Sequence, residues 1–368
     1  MIMLKRCLMI CVIVLLAGCT NDERILDKIG YVQSTSQDLL PDGRLKISAS
    51  VPIANPEIKE TSEFLVTEAL SSKEGRMKLA RQTNLKLVSG QLRVVLLGEA
   101  LAKQGIMENL DSYSRDPTVS ETVKIVIVEG DAADLLGKNY KSLPRNGQYI
   151  DRLITKESRG HSIVHSTLYS FNRDYYEAGK DPVAPIIVSE EDRIATNGIA
   201  LFKKDKYVGK LTSDEGLIFS FLYGSFKGGE LTVHLTEESS KKIAVFLNSL
   251  KSKRKLDVVH QSNGKITVNL DIEVKAAVID YPGELELDDP GELRRFESLV
   301  SAELTNRGEK IIKKLQEVGV DSLGIGTKVR NTMSFKEWKD MNWEDEYPKV
   351  DINCSLKLKV KDYGFKHL

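Results

Sequence analysis

Residues 265–275 read Lys-Ile-Thr-Val-Asn-Leu-Asp-Ile-Glu-Val-Lys. Ile266, Val268, Leu270, Ile272 and Val274 fall on one side of an extended chain, and Thr267, Asn269, Asp271, Glu273 and Lys275 on the other. Side chains alternate faces along a strand, so this pattern predicts an antiparallel strand with one face in a core and one in water. A long helical pattern follows. Asp288 and Asp289 stand where an N-cap belongs, and Pro290 suits the first turn. Leu293, Phe296, Val300, Leu304, Ile311, Leu315 and Val318 form an apolar stripe at helical spacing, and Gly319 ends it. Alternation resumes from Val350, with Ile352, Cys354, Leu356, Leu358 and Val360 inward and Lys357, Lys359 and Lys361 outward. The C-terminal part is therefore expected to be an antiparallel sheet packed on one long helix.

Upstream, the signals are mixed. Ile29 to Ile53 holds two strands around a turn at Pro41-Asp42-Gly43. Residues 54–60 read as a loop, and Thr61 or Ser62 as the cap of a helix running through Phe64, Leu65, Ala69 and Leu70. Leu92 to Leu97 and Val123 to Val128 are continuous apolar runs, as strands buried on both faces require. Gly98 turns the first into a short helix, Glu99 to Gln104, that Gly105 ends; Asp131 caps a second, Ala132 to Leu136. His161 to Phe171 and Pro185 to Val188 are strand candidates. Gly198 to Phe202 and Tyr207 to Gly209 form a hairpin around Lys204-Asp205, and Glu215 to Leu222 a short helix. Strands with separated helices indicate an α+β fold of several small mixed or antiparallel sheets, in three structural domains.

The N-terminus carries a targeting pattern. Lys5 and Arg6 precede the apolar run Leu8 to Leu16, which is too short to span a bilayer and fits a signal peptide over residues 1–18. Leu16-Ala17-Gly18-Cys19 is similar to a bacterial lipobox. Small residues suit the peptidase that cuts between Gly18 and Cys19, and the thiol of Cys19 is what a diacylglyceryl transferase alkylates. Two acyl chains anchor a protein stably where one does not. Asn21 to Leu26 would be a polar tether. The chain thus divides into 1–18, an N-terminal region 19–192 and a C-terminal region 196–368.

Charge excludes some roles. Lys and Arg number 53, as do Asp and Glu, and loss of Lys5 and Arg6 with residues 1–18 leaves 51 against 53, near −2. No global field would draw such a chain to nucleic acid. Cys7 and Cys11 leave with the signal peptide and Cys19 is lipidated, so Cys354 has no disulfide partner and reads as an inert core thiol.

A search for catalytic chemistry returns little. No G-x-S-x-G, no G-x-x-x-x-G-K-[ST] and no strand-borne G-x-G-x-x-G occurs, and Gly324-Ile325-Gly326 marks a tight turn. His161 and His165 lack a nearby Cys or Glu ligand and read as ordinary strand histidines. Glu284, Glu286, Asp288 and Asp289 do not follow the spacing of an EF-hand loop, and capping accounts for two of them. Phe335, Trp338, Trp343 and Tyr347 either dock a partner or close a domain core, and the second reading is favoured. No catalytic, cofactor-binding or metal-ligating residue is assigned.

Several stretches carry a resemblance over most of the chain. They are Val94-Val95-Leu96-Leu97-Gly98-Glu99-Ala100-Leu101-Ala102-Lys103-Gln104-Gly105-Ile106 with Leu110-Asp111 and Arg115-Asp116 downstream; Gly198-Ile199-Ala200-Leu201-Phe202 with Asp205 to Leu211 and Glu215; Leu323-Gly324-Ile325-Gly326 with Trp338; and Tyr347-Pro348-Lys349-Val350. With the lipobox at Cys19, in this order, the chain resembles the Ger(x)C family, the lipoprotein C subunits of spore nutrient germinant receptors. That resemblance implies three α+β domains, no enzymatic activity and no cofactor. It implies attachment to the outer face of the cell membrane or spore inner membrane through acyl chains such as palmitate on Cys19. It also implies work with two polytopic membrane subunits of A and B type. Two other readings compete. A solute-binding lipoprotein of a transporter would have doubly wound lobes of continuous apolar strands, which the alternating late strands oppose. An envelope hydrolase would need a nucleophile and base that are not evident.

Overall fold

The computed structural model describes residues 28–53, 62–140, 143, 145–236, 242–262 and 264–362. The signal peptide, the processing site at Gly18 and Cys19, the tether over 21–26 and the loop over 54–60 lie outside the described residues.

Fourteen strands are described: β1 Ile29–Tyr31, β2 Ser34–Leu39, β3 Leu45–Pro52, β4 Ser62–Ala69, β5 Lys86–Val88, β6 Val94–Gly98, β7 Lys124–Glu129, β8 Val183–Ser189, β9 Ile194–Lys203, β10 Lys206–Leu211, β11 Leu231–Thr236, β12 Lys242–His260, β13 Ile266–Asp280 and β14 Asp351–Asp362. They form an eight-stranded mixed sheet in the order β10-β9-β8-β7-β6-β2-β3-β4, a four-stranded sheet β11-β12-β13-β14, and a parallel pair β1-β5. The chain is α+β.

The centre of the large sheet follows from its apolar runs. β2, β6, β7 and β8 pair in parallel, and every residue of β6 is buried. Val95 and Leu97 enter one core while Val94 and Leu96 enter another on the opposite face. Helices cover both faces, which is why the run does not alternate. The β2–β3 hairpin turns at Gly43 with a φ of +85°, and β9 and β10 pair around Lys204 as expected. That hairpin completes the sheet on β8, antiparallel to it.

In the C-terminal sheet all five inward residues of 266–274 are buried. Helix Pro290–Val318 lies on it, with the Asp289 side chain accepting from the N–H groups of Gly291 and Glu292 and Gly319 closing the end at φ +72°. The close approach of this helix to β14 needs Gly308, where a Cβ would sit 2.9 Å from Leu356 Cδ1. The helix also protects the outer edge of β14. Val360, Leu358 and Leu356 N–H groups donate to Glu297 Oε1, Ser301 Oγ and Thr305 Oγ1 at 2.8, 2.9 and 3.0 Å. Four helical residues rise about 6.0 Å and two strand residues about 6.6 Å, so an i, i+4 ladder can match alternate strand amides. The edge is thereby closed to other strands.

Four expectations need correction. The segment after residue 61 is not a helix but the strand β4, paired antiparallel with β3. Phe64, Leu65, Ala69 and Leu70 fit helical spacing, but pairing along the whole of β3 outweighs that local pattern; the helix starts later, at Ser72–Leu79, capped by Ser71. His161 to Phe171 is not a strand. A turn with His161 at φ +61° leads to helix Leu168–Tyr176, where Thr167 and Ser170 form a reciprocal capping box. His161 and His165 are therefore not strand histidines. Lastly, the final strand runs parallel to β13, so the C-terminal sheet is antiparallel only from β11 through β13. The long helix carries the chain back the length of the sheet, and such a crossover delivers a parallel neighbour.

Candidate functional site

The stretch Leu323 to Gly326 sits at the junction between the large sheet and the C-terminal sheet, and two buried carboxylates hold it. Asp321 Oδ1 accepts from Ile325 N–H at 2.9 Å, and Oδ2 accepts from Gly326 N–H at 2.6 Å and Trp343 Nε1–H at 3.1 Å. Asp181, just before β8, accepts from Asp321 N–H at 2.8 Å and Lys204 N–H at 3.1 Å. Asp181 N–H returns a bond to Asp321 O at 3.0 Å. One acid thus ties the base of the large sheet, the β9–β10 turn and the loop after the long helix together. Burial pushes the Asp321 carboxyl up to about 6, although its N–H donors pull the other way. Burial raises Asp181 too.

Two glycines allow this approach. A Cβ on Gly326 would lie 2.3 Å from Trp343 Nε1, and one on Gly179, at φ +87°, would lie 2.5 Å from the Gly326 carbonyl carbon. Thr327 N–H donates to Gly179 O at 3.1 Å. Charged groups brace the rim: Arg330 pairs with Glu177 at 2.6 Å, Lys203 donates to Gly319 O at 2.8 Å, and Arg254 donates to Leu323 O at 3.2 Å. Gly324-Ile325-Gly326 is therefore a turn, as expected, with Gly324 at φ +68° starting helix Ile325–Arg330.

The aromatic stretch closes this core. Trp338, Trp343 and Tyr347 follow one another in ring contact, each pair tilted with centroids 5.9 Å apart, and Trp343 and Tyr347 are buried. Phe335 is apart from them at 81% exposure. Of the acidic cluster Asp289 caps the long helix with its carboxylate, so among the described residues capping is shown for one of the four acids and not for two; Glu286 takes part through its backbone N–H, which donates to Glu292. His161 stacks on Phe226 at 4.0 Å. Among the described residues no three His, Cys, Asp or Glu side chains are grouped to hold a metal ion. Cys354 is buried against the long helix, and burial drives its thiol up to about 12, far from reactive.

Sequence reasoning missed Asp321 and Asp181 and also a third buried carboxylate, Asp38. It caps helix Ala132–Gly137 across the sheet, accepting from Ala132 and Ala133 N–H at 2.7 and 2.9 Å, and burial lifts it to about 6. It also missed a groove beside β5. Helix Ser72–Leu79, β5 and residues Asp116 to Thr118 enclose a cavity of about 450 Å³. The signals existed only as scattered residues, since β2, β5 and the helix are brought together by tertiary packing and not by sequence neighbourhood.

Comparison with known proteins is consistent along the chain. The family model described as spore germination protein N-terminal domain matches residues 22–189, and the one described as spore germination B3/GerAC like, C-terminal, matches 197–364. Spore germination protein GerQC of Bacillus cereus is 23% identical, over 95% of this chain and 96% of its own length. Spore germination protein B3 of Bacillus subtilis (strain 168) is 21% identical over 95% of each. The crystal structure of the GerBC protein superposes with a TM-score of 0.55 at 18% identity, covering 93% of this chain and 100% of that one, a likeness of fold.

Proposed function

The chain belongs to the spore germination B3/GerAC-like family, and on that premise we propose that it is a non-catalytic lipoprotein subunit of a membrane-bound nutrient germinant receptor. The observation that carries this reading is the match of both family models, in order, over nearly the full chain. The buried acids Asp321, Asp181 and Asp38 agree with it, because each accepts backbone N–H groups and serves architecture. Its partners in this reading are two polytopic membrane subunits, of A and B type, and the bilayer itself. Among the described residues no helix is long and apolar enough to cross a membrane. Attachment is assigned to a diacylglyceryl group on Cys19, exposed by cleavage after Gly18. From Cys19 to β1 at Ile29 is ten residue steps, and an extended chain spans at most about 3.5 Å per step, so β1 stays within about 35 Å of the bilayer. Tethering of that kind raises the effective concentration of the body near membrane partners.

Cys19→Ala tests the assignment. The variant is expected to accumulate as an unprocessed precursor that takes up no labelled palmitate. A strain carrying it should respond to nutrient no better than a strain lacking the gene. A labelled, processed variant would remove the anchor, and a full nutrient response in the deletion strain would remove the receptor role.

A further inference from the structure

The groove beside β5 has a polarity gradient. Val32, Ala49, Leu79, Leu87 and Leu92 supply apolar walls. The polar groups at its floor are already partnered: Thr35 Oγ1 donates to Ser48 O at 2.7 Å, and Tyr113 Oη accepts from Gln37 Nε2–H at 2.7 Å. A polar ligand head gains nothing there, and an apolar tail does.

The rim is cationic. Lys73, Arg76 and Lys86 line it with one acid, Asp116. Arg76 is neutralised by Asp116 at 2.8 Å and lies over the Tyr113 ring at 5.7 Å. Among the described residues Lys73 and Lys86 form no ion pair, and both are exposed. The unbalanced charge at the mouth is therefore two lysines above an apolar interior. A cavity of 450 Å³ lies in the range of about 300–1,000 Å³ typical of small-molecule sites.

We propose that this groove binds a fatty-acid-like carboxylate, with its apolar tail between Leu79, Leu87 and Leu92 and its anionic head at Lys73 and Lys86. The site needs no contribution from a receptor partner, so its test is separate from that of the receptor assignment.

The full-length lipidated chain, in phosphatidylcholine nanodiscs, would be irradiated with dodecanoate bearing a tail diazirine, and labelled peptides mapped by mass spectrometry. Labelling is expected on the peptides containing Leu79, Leu87 and Tyr113. Unlabelled dodecanoate should compete at least about tenfold better than dodecanol, which lacks the charge. The double variant Lys73→Glu with Lys86→Glu should lose about tenfold in labelling. Ala80→Trp, at an exposed position on the groove wall, should block it. Should either variant melt early, Lys73→Met with Lys86→Met replaces it and is expected to erase the preference for dodecanoate over dodecanol. Labelling spread evenly over the surface, or unchanged in folded variants, would overturn the proposal.

Discussion

Asp321→Ala is expected to destabilise the folded chain by about 3–9 kcal/mol, because three buried donors lose their acceptor at about 1–3 kcal/mol each. Those donors are the N–H groups of Ile325, Gly326 and Trp343 Nε1. A loss of that size is a large share of a typical stability of about 5–15 kcal/mol. Urea denaturation of the purified protein would measure it, and a loss below about 1 kcal/mol would show that the junction does not depend on this acid. The pH dependence has a defined sign. The folded Asp321 carboxyl titrates at about 6, against 3.8 for the open chain. The native state therefore holds this proton more tightly, and the associated stability is full below about pH 4 and lost as pH rises through 6. The shift of about two units corresponds to about 3 kcal/mol. Taken as wild type minus Asp321→Asn, stability should fall across that window; a flat difference would contradict the burial argument. The difference matters, because carboxylates such as Glu129 and Glu215, held low by Lys210 and by the Thr212 backbone with Lys314, titrate with the opposite sign.

Gly326→Ala is the second large effect. The added methyl would press on Trp343 Nε1 at 2.3 Å and Gly179 Cα at 2.7 Å. One neighbour is a buried ring and the other is backbone, so neither yields cheaply, and overpacking of this kind costs about 1–3 kcal/mol or more. The control is Gly90→Ala, whose Cβ would meet nothing nearer than Thr118 O at 3.8 Å. Thermal melts should separate the two, with Gly326→Ala well below wild type and Gly90→Ala close to it. Equal melting points would mean that the junction relaxes around the methyl.

What could be read from sequence was local. The strand at 266–274 and the helix from Pro290 were legible because alternation, an Asp cap, a Pro and a closing Gly are all neighbours in the chain. β12 was not. Its inward residues Ile243, Val245 and Leu247 give way to Leu250 and Ser252, since an irregularity between Asn248 and Lys251, with Ser249 at φ +51°, changes the phase. β4 was misread because Phe64 and Val66 put apolar side chains on its exposed face beside the buried Leu65, which hides the alternation, and its pairing with β3 is set at a distance. The junction was legible only as a motif. Asp181 and Asp321 are 140 residues apart, and no spacing in the chain announces that one accepts the other's N–H. The resemblance carried the family; only coordinates assign Gly326 its place under Trp343. The groove follows the same logic, since its walls come from β2, β3, β5 and a helix that meet only on folding.

The central claim is membership of a receptor complex, and copurification tests it most directly. The chain would be tagged at its C-terminus, spore inner membranes solubilised gently, and the captured proteins identified by mass spectrometry. The account predicts two polytopic membrane subunits in stoichiometric yield. Recovery of the tagged chain alone, with control membrane complexes intact, would contradict it.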